Sequence, residues 1–226
     1  MRLLLLSVAL IFCVSLSAQK VFKINPGQKI SDIVPLNELY SFKEFAPGTI
    51  LFKSGSYAKA FMNYNILNES LEFIDPKGDT LAVADEANIK QVTLNNNTFY
   101  YNKVYLKEIA QYGDMILAER IYFSVSNREK IGAMGTATSS TVETNSTIHI
   151  ANGVAKDLIV QDVVTLKKSS VLYIGNRYNY FLQVNKKNLL EMYDERHKEL
   201  SKYVKDNDVQ YFRLEDIQKL MTHFSK

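Results

Sequence analysis

The sequence predicts a mainly β, α+β protein: an antiparallel β-meander, curved or barrel-like, with two C-terminal amphipathic helices packed on it. Three observations carry this. Apolar residues recur with a period of two across residues 49–125, as they do in half-buried strands. Turn signals interrupt them at spacings of about 8–12 residues with no long helical pattern between, the mark of a β-dominated domain. From Asn185 onward the apolar period changes to between three and four, which is helical.

In chain order, Val21-Phe22-Lys23-Ile24 makes a first short strand, Asn25-Pro26-Gly27 a turn, and residues 30–40 a loop or brief helix interrupted by Pro35. Ala46-Pro47-Gly48 launches the meander. Leu51, Phe61, Leu71, Phe73, Leu81, Val83, Val92 and Leu94 are its recurring apolar positions. Ser54-Gly55-Ser56, Asp75-Pro76-Lys77-Gly78-Asp79 and Asn95-Asn96-Asn97 are its turns. Met115, Leu117, Ile121, Phe123 and Val125 share one strand face, with Ile116, Ala118, Arg120, Tyr122 and Ser124 opposite.

Between them, Phe99, Tyr101 and Tyr105 share one face and Tyr100, Asn102 and Val104 the other. Two aromatic faces indicate burial on both sides or a stacking surface for a flat ligand such as a sugar ring. Tyr101, Tyr105 and Tyr122 are therefore the candidate ligand-binding residues.

Residues 126–154 turn abruptly to Gly, Ser, Thr and Asn, including Gly132-Ala133-Met134-Gly135, and read as a flexible loop. The run lacks the Gly-Lys-Ser/Thr ending of a phosphate-binding loop. The sheet resumes with Leu158, Val160, Val164 and Leu166, turns at Lys167-Lys168-Ser169-Ser170, and forms a tight hairpin at Gly175-Asn176 with Tyr178, Tyr180, Leu182 and Val184 on a buried face. Asn185 caps a helix striped by Leu189, Leu190, Tyr193, His197, Leu200, Tyr203 and Val204. Asp206-Asn207-Asp208 ends it, and Leu214, Ile217, Leu220, Met221 and Phe224 mark a second helix with Glu215 and Asp216 in its first turn.

The N-terminus supplies an address. Arg2, an apolar run over residues 3–14 and Ser15-Leu16-Ser17-Ala18 have the layout of a secretory signal, and a transmembrane helix needs about 20 apolar residues. The organisation expected is a signal peptide at 1–18, a β domain at 19–184 carrying the loop 126–154, and a helical pair at 185–226 on the same domain. Cys13, the only cysteine, sits in the leader, so the mature chain has no thiol chemistry, cysteine metal cluster or disulfide to draw on.

A net charge of +3, from 27 Lys and Arg against 24 Asp and Glu, does not point to nucleic acid. His149, His197 and His223 form no i, i+4 pair, so no metal ligand set is expected. No Gly-x-Ser-x-Gly elbow appears, and the paired acids fall in turns and helix ends, so no catalytic residue and no cofactor is expected.

The stretches Gly48-Thr49-Ile50-Leu51-Phe52-Lys53-Ser54-Gly55, Asn63-Tyr64-Asn65, Leu71-Glu72-Phe73-Ile74 and Asn185-Lys186-Lys187-Asn188-Leu189-Leu190 resemble a group of uncharacterised secreted β-rich proteins of Gram-negative bacteria. The resemblance implies export beyond the inner membrane and nothing catalytic. The function expected is a non-catalytic exported binding or interaction protein, periplasmic, secreted or in the cell envelope, whose partner is an envelope protein, glycan or lipid. A carrier of a lipid or carbohydrate in a curved sheet is the alternative, and a hydrolase without a recognisable motif the third reading.

Overall fold

The computed structural model describes residues 20–131, 137–140 and 160–225. The expected leader with Cys13, and His149, lie outside them. The described chain is an antiparallel sheet of 12 strands with order β1-β11-β9-β8-β7-β6-β2-β3-β4-β5, β10 pairing with β9 and β12 with β11. Its first half contains β1 (Val21–Ile24), α1 (Ile30–Ile33), α2 (Leu36–Leu39), β2 (Ala46–Phe52), β3 (Tyr57–Asn65), β4 (Ser70–Ile74), β5 (Thr80–Ala82) and β6 (Ile89–Leu94). Then come β7 (Asn97–Tyr101), β8 (Tyr105–Tyr112), β9 (Met115–Ile131), β10 (Ala137–Ser140), β11 (Val163–Asn176) and β12 (Phe181–Gln183). The chain ends in α3 (Lys186–Met192), α4 (His197–Asp206) and α5 (Leu214–Phe224). No helix among the described residues is long and apolar enough to cross a membrane.

The sheet is open but strongly curled. Four strands separate β3 from β9, which in a flat sheet means about 24 Å at about 4.8 Å per strand. Yet the Tyr64 hydroxyl donates to the Ile121 carbonyl at 3.2 Å, and Arg120 grips Glu69 through two hydrogen bonds of 2.6 and 2.8 Å. Residues 30–40 link the two flanks. Ile30, Val34 and Leu39 are buried, Tyr40 bridges to Asn65 and gives its hydroxyl to Glu72, and Glu38 pairs with Lys20 and Lys168. Pro35 divides the segment into α1 and α2 by standing at the N-cap of the second.

Three cores follow from the alternation. Ile24, Met62, Tyr64, Leu71, Val92, Phe99, Tyr105, Phe123 and Leu166 fill the concave interior. At the other end of that face Leu117, Leu172 and Ile174 receive Leu189, Leu200, Ile217, Leu220 and Phe224 from the helices. On the reverse face Tyr100, Leu106, Ile116, Ala118 and Phe181 form a smaller cluster. The two aromatic faces of β7 are thus both buried. The strand reverses after Tyr101, where Lys103 takes a positive φ of 62°.

Several expectations are corrected. Residues 126–131 are strand, not loop: they continue β9 against β11, with Val163 opposite Glu129 and Val164 opposite Arg128, and β10 pairs back on them from Ala137 to Ser140. The ladder is made by backbone groups, so polar side chains do not end it; the rest of 126–154 lies outside the described residues. Lys167-Lys168-Ser169-Ser170 is likewise mid-strand in β11. Ser169 meets the Ser124 hydroxyl at 2.8 Å across the ladder, and Lys168 meets Glu38 at 2.9 Å, so both polar groups are paired in place.

Gly175 and Asn176 also belong to β11, and the reversal comes at Arg177–Asn179, held by the Asn176 side chain accepting from the Tyr178 and Tyr180 amides. Glycine is required there for closeness: a Cβ on Gly175 would lie 2.2 Å from the Phe181 ring. Tyr178 and Tyr180 are exposed, and Phe181 and Val184 take the buried positions. The first C-terminal helix is broken after Met192. Tyr193 adopts φ −116°, ψ 39°, which puts its ring 5.3 Å from Phe224, and the break turns His197 outward into solvent. Asn185 does cap α3, accepting from the Asn188 amide.

Candidate functional site

The three predicted tyrosines do not assemble a site. Tyr101 and Tyr105 pair across β7 and β8, with ring centroids 5.1 Å apart. Tyr105 is fully buried in the concave core, and its hydroxyl has no hydrogen-bond partner at bonding distance. Glu86, on the 3-10 turn Glu86–Asn88, is the acid that faces both hydroxyls. Burial pushes the Glu86 carboxyl above the usual carboxylate range, against the pull of the two tyrosines. Burial first, and the Glu86 charge second, push the Tyr105 hydroxyl far above the usual phenol range. The Tyr105 contact is not closed into a bond, so burial, with the nearby acid second, sets that shift. Tyr122 stands on the other face of β9, buried, its ring covered by the Arg120 guanidinium at 4.4 Å. Tyr105 and Tyr122 are thus buried and Tyr101 is half-buried against the interior core, and Tyr64, Phe99 and Phe123 fill the space a ligand in the curl would need.

The exposed chemistry lies on the outward face of β2, β3 and β6. Ala58, Ala60 and Met62 alternate with Tyr57, Lys59 and Phe61, and the tight fit behind the sheet fixes which set points out. Met62 is wholly buried, and a Cβ on Gly48 would lie 2.9 Å from its Cε. Tyr57 and Phe61 are consequently 68% and 56% exposed. The register lays the outward residues in rows: Phe61 opposite Pro47, Lys59 opposite Thr49 and so Thr93, Tyr57 opposite Leu51 and so Gln91.

The upper rows line a shallow depression of about 630 Å³ that includes Pro47, Thr49, Lys59, Phe61, Thr93, Asn95 and Asn96. Asn95 and Asn96 take positive φ values of 49° and 60° in the β6–β7 turn, which lifts both amides to its rim. Thr93, Asn95 and Asn96 are exposed and Thr49 half-buried. The site therefore offers an aromatic face, one cation, and neutral hydroxyl and amide groups, with no carboxylate among its lining. Sequence reading counted Phe61 as core because it recurs with Leu51. The aromatic-Lys-aromatic set opposite two alanines was the signal that this strand shows its larger side chains to solvent.

Among the described residues no group of three or more His, Asp or Glu side chains is placed to hold a metal ion. Comparison with protein-family models, curated proteins and solved structures finds no match for this chain.

Proposed function

We propose that this is an exported, non-catalytic binding protein of the cell envelope or secreted space, and that its outward β2–β3–β6 face binds a glycan. The observation that carries the reading is Phe61 beside a floor of threonine and asparagine groups. A sugar ring offers one apolar face and a rim of hydroxyls, so it needs an aromatic surface flanked by neutral donors and acceptors. Tyr57 lies four residues along the strand, about 13 Å away at about 3.3 Å per residue. That is wider than a single sugar ring, which favours an oligomer or polymer. The leader expected at the N-terminus supports an address outside the cytoplasm. The carrier alternative draws no support from the interior, which aromatic side chains occupy.

Co-sedimentation of the mature protein with purified envelope polysaccharides tests the reading. Retention is expected for wild type, and Tyr57→Ala with Phe61→Ala should weaken it about 30-fold, from two stacking contacts of about 1 kcal/mol each, with an unchanged melting temperature. Equal retention of the double variant contradicts the assignment.

A further inference from the structure

We propose a second ligand site, independent of the glycan face: the cleft between α3 and α4 binds a free short- to medium-chain fatty acid. The cavity measures about 290 Å³, the lower end of small-molecule sites. Its walls include the aliphatic side chains of Leu189, Leu190, Leu200 and Val204, and Lys186 and Lys205 stand beside it. Both lysines are exposed and make no ion pair among the described residues. Ser201 and Tyr211 add two hydroxyls to the lining. The helix is interrupted after Met192, and residues of α3 and α4 together line the cleft.

The occupant follows from this lining. An unbranched apolar chain fits aliphatic walls, and a single anionic head fits two uncommitted ammonium groups with hydroxyls beside them. A cationic ligand would meet like charge, and a neutral alcohol would leave both lysines unused. No residue needs to be rebuilt for entry, because Lys186 and Lys205 are flexible, solvated side chains.

Calorimetric titration of the mature protein with hexanoate, octanoate and decanoate, each below its micelle concentration, tests the proposal. Saturable one-to-one binding is expected, strengthening about fourfold per added methylene until the cleft is full and weakening with added salt. Decanol should bind more weakly than decanoate. Lys186→Gln with Lys205→Gln, both on the surface and outside every core, should lose about three- to tenfold. Ser201→Phe, which fills the cleft, should abolish binding while circular dichroism and the melting temperature report an intact fold. Absence of saturable decanoate binding overturns the proposal. So does full affinity in Ser201→Phe, or binding to phospholipid vesicles without any to the free acids.

Discussion

At the scale of the residue, Glu86 and Glu38 show the two opposite signs that a shifted carboxyl gives to the pH dependence of stability. Glu86 holds its proton to higher pH in the fold than in the unfolded chain because burial penalises its charge. The folded state therefore binds more protons between the ordinary carboxylate range and the raised one. Glu86's contribution to stability is full below that window and lost as pH rises through it. Glu86→Gln should match wild type in acid and melt higher at neutral pH; a variant less stable than wild type at pH 7 contradicts this. Glu38 is the reverse case: hydrogen bonds from Lys20 and then Lys168 hold its carboxyl below the usual range, so its contribution is present at neutral pH and lost as pH falls through the lowered value. The Arg120–Glu69 pair, 16% and 12% exposed, ties the β3–β4 turn across the curl to β9. Arg120→Met should cost about 3 kcal/mol in urea unfolding because it strands a half-desolvated carboxylate, and adding Glu69→Gln should recover part of it. None of these partners was legible in the sequence, since 51 positions separate Glu69 from Arg120 and only the curl brings them together.

At the scale of the element, the period-two signal located the strands because one face of each packs on a core, but it carried β9 only to Val125 and divided β11 at Lys167-Lys168-Ser169-Ser170. Their central residues are polar yet remain in the ladder, since Ser124 pairs with Ser169 and Lys168 with Glu38. A turn inferred from polarity alone fails there. Gly175 misled for a related reason, because glycine marks a tight turn and a close packing contact alike. Gly175→Ala should cost about 2 kcal/mol from overpacking against Phe181, and Phe181→Leu should relieve part of that cost in a thermal melt of the double variant. Strictly additive losses would show that the two side chains do not compete for space. The helical stripe was legible, whereas its interruption was not: Tyr193 leaves helical geometry to reach Phe224, a contact 31 residues away in sequence.

At the scale of the whole molecule, the fold class was readable because hydrophobic period reports which residues face a core. The proposed binding face was not, because an exposed aromatic and a buried one give the same period. Only the register, with Gly48 and Met62 packed behind the sheet, decides that Tyr57 and Phe61 point outward. The proposed address makes its own prediction: protein isolated from its native cells should lack the leader and begin near Gln19 by mass spectrometry, and recovery of the intact N-terminus would contradict export through a cleaved signal. The central claim is that the outward β2–β3–β6 face is where the molecule meets a glycan. Amide and side-chain NMR shifts of the mature protein titrated with soluble envelope glycan fragments test it most directly. The account predicts shifts concentrated at Thr49, Lys59, Phe61, Thr93, Asn95 and Asn96; shifts confined to α3 and α4, or no shifts at saturating glycan, would contradict it.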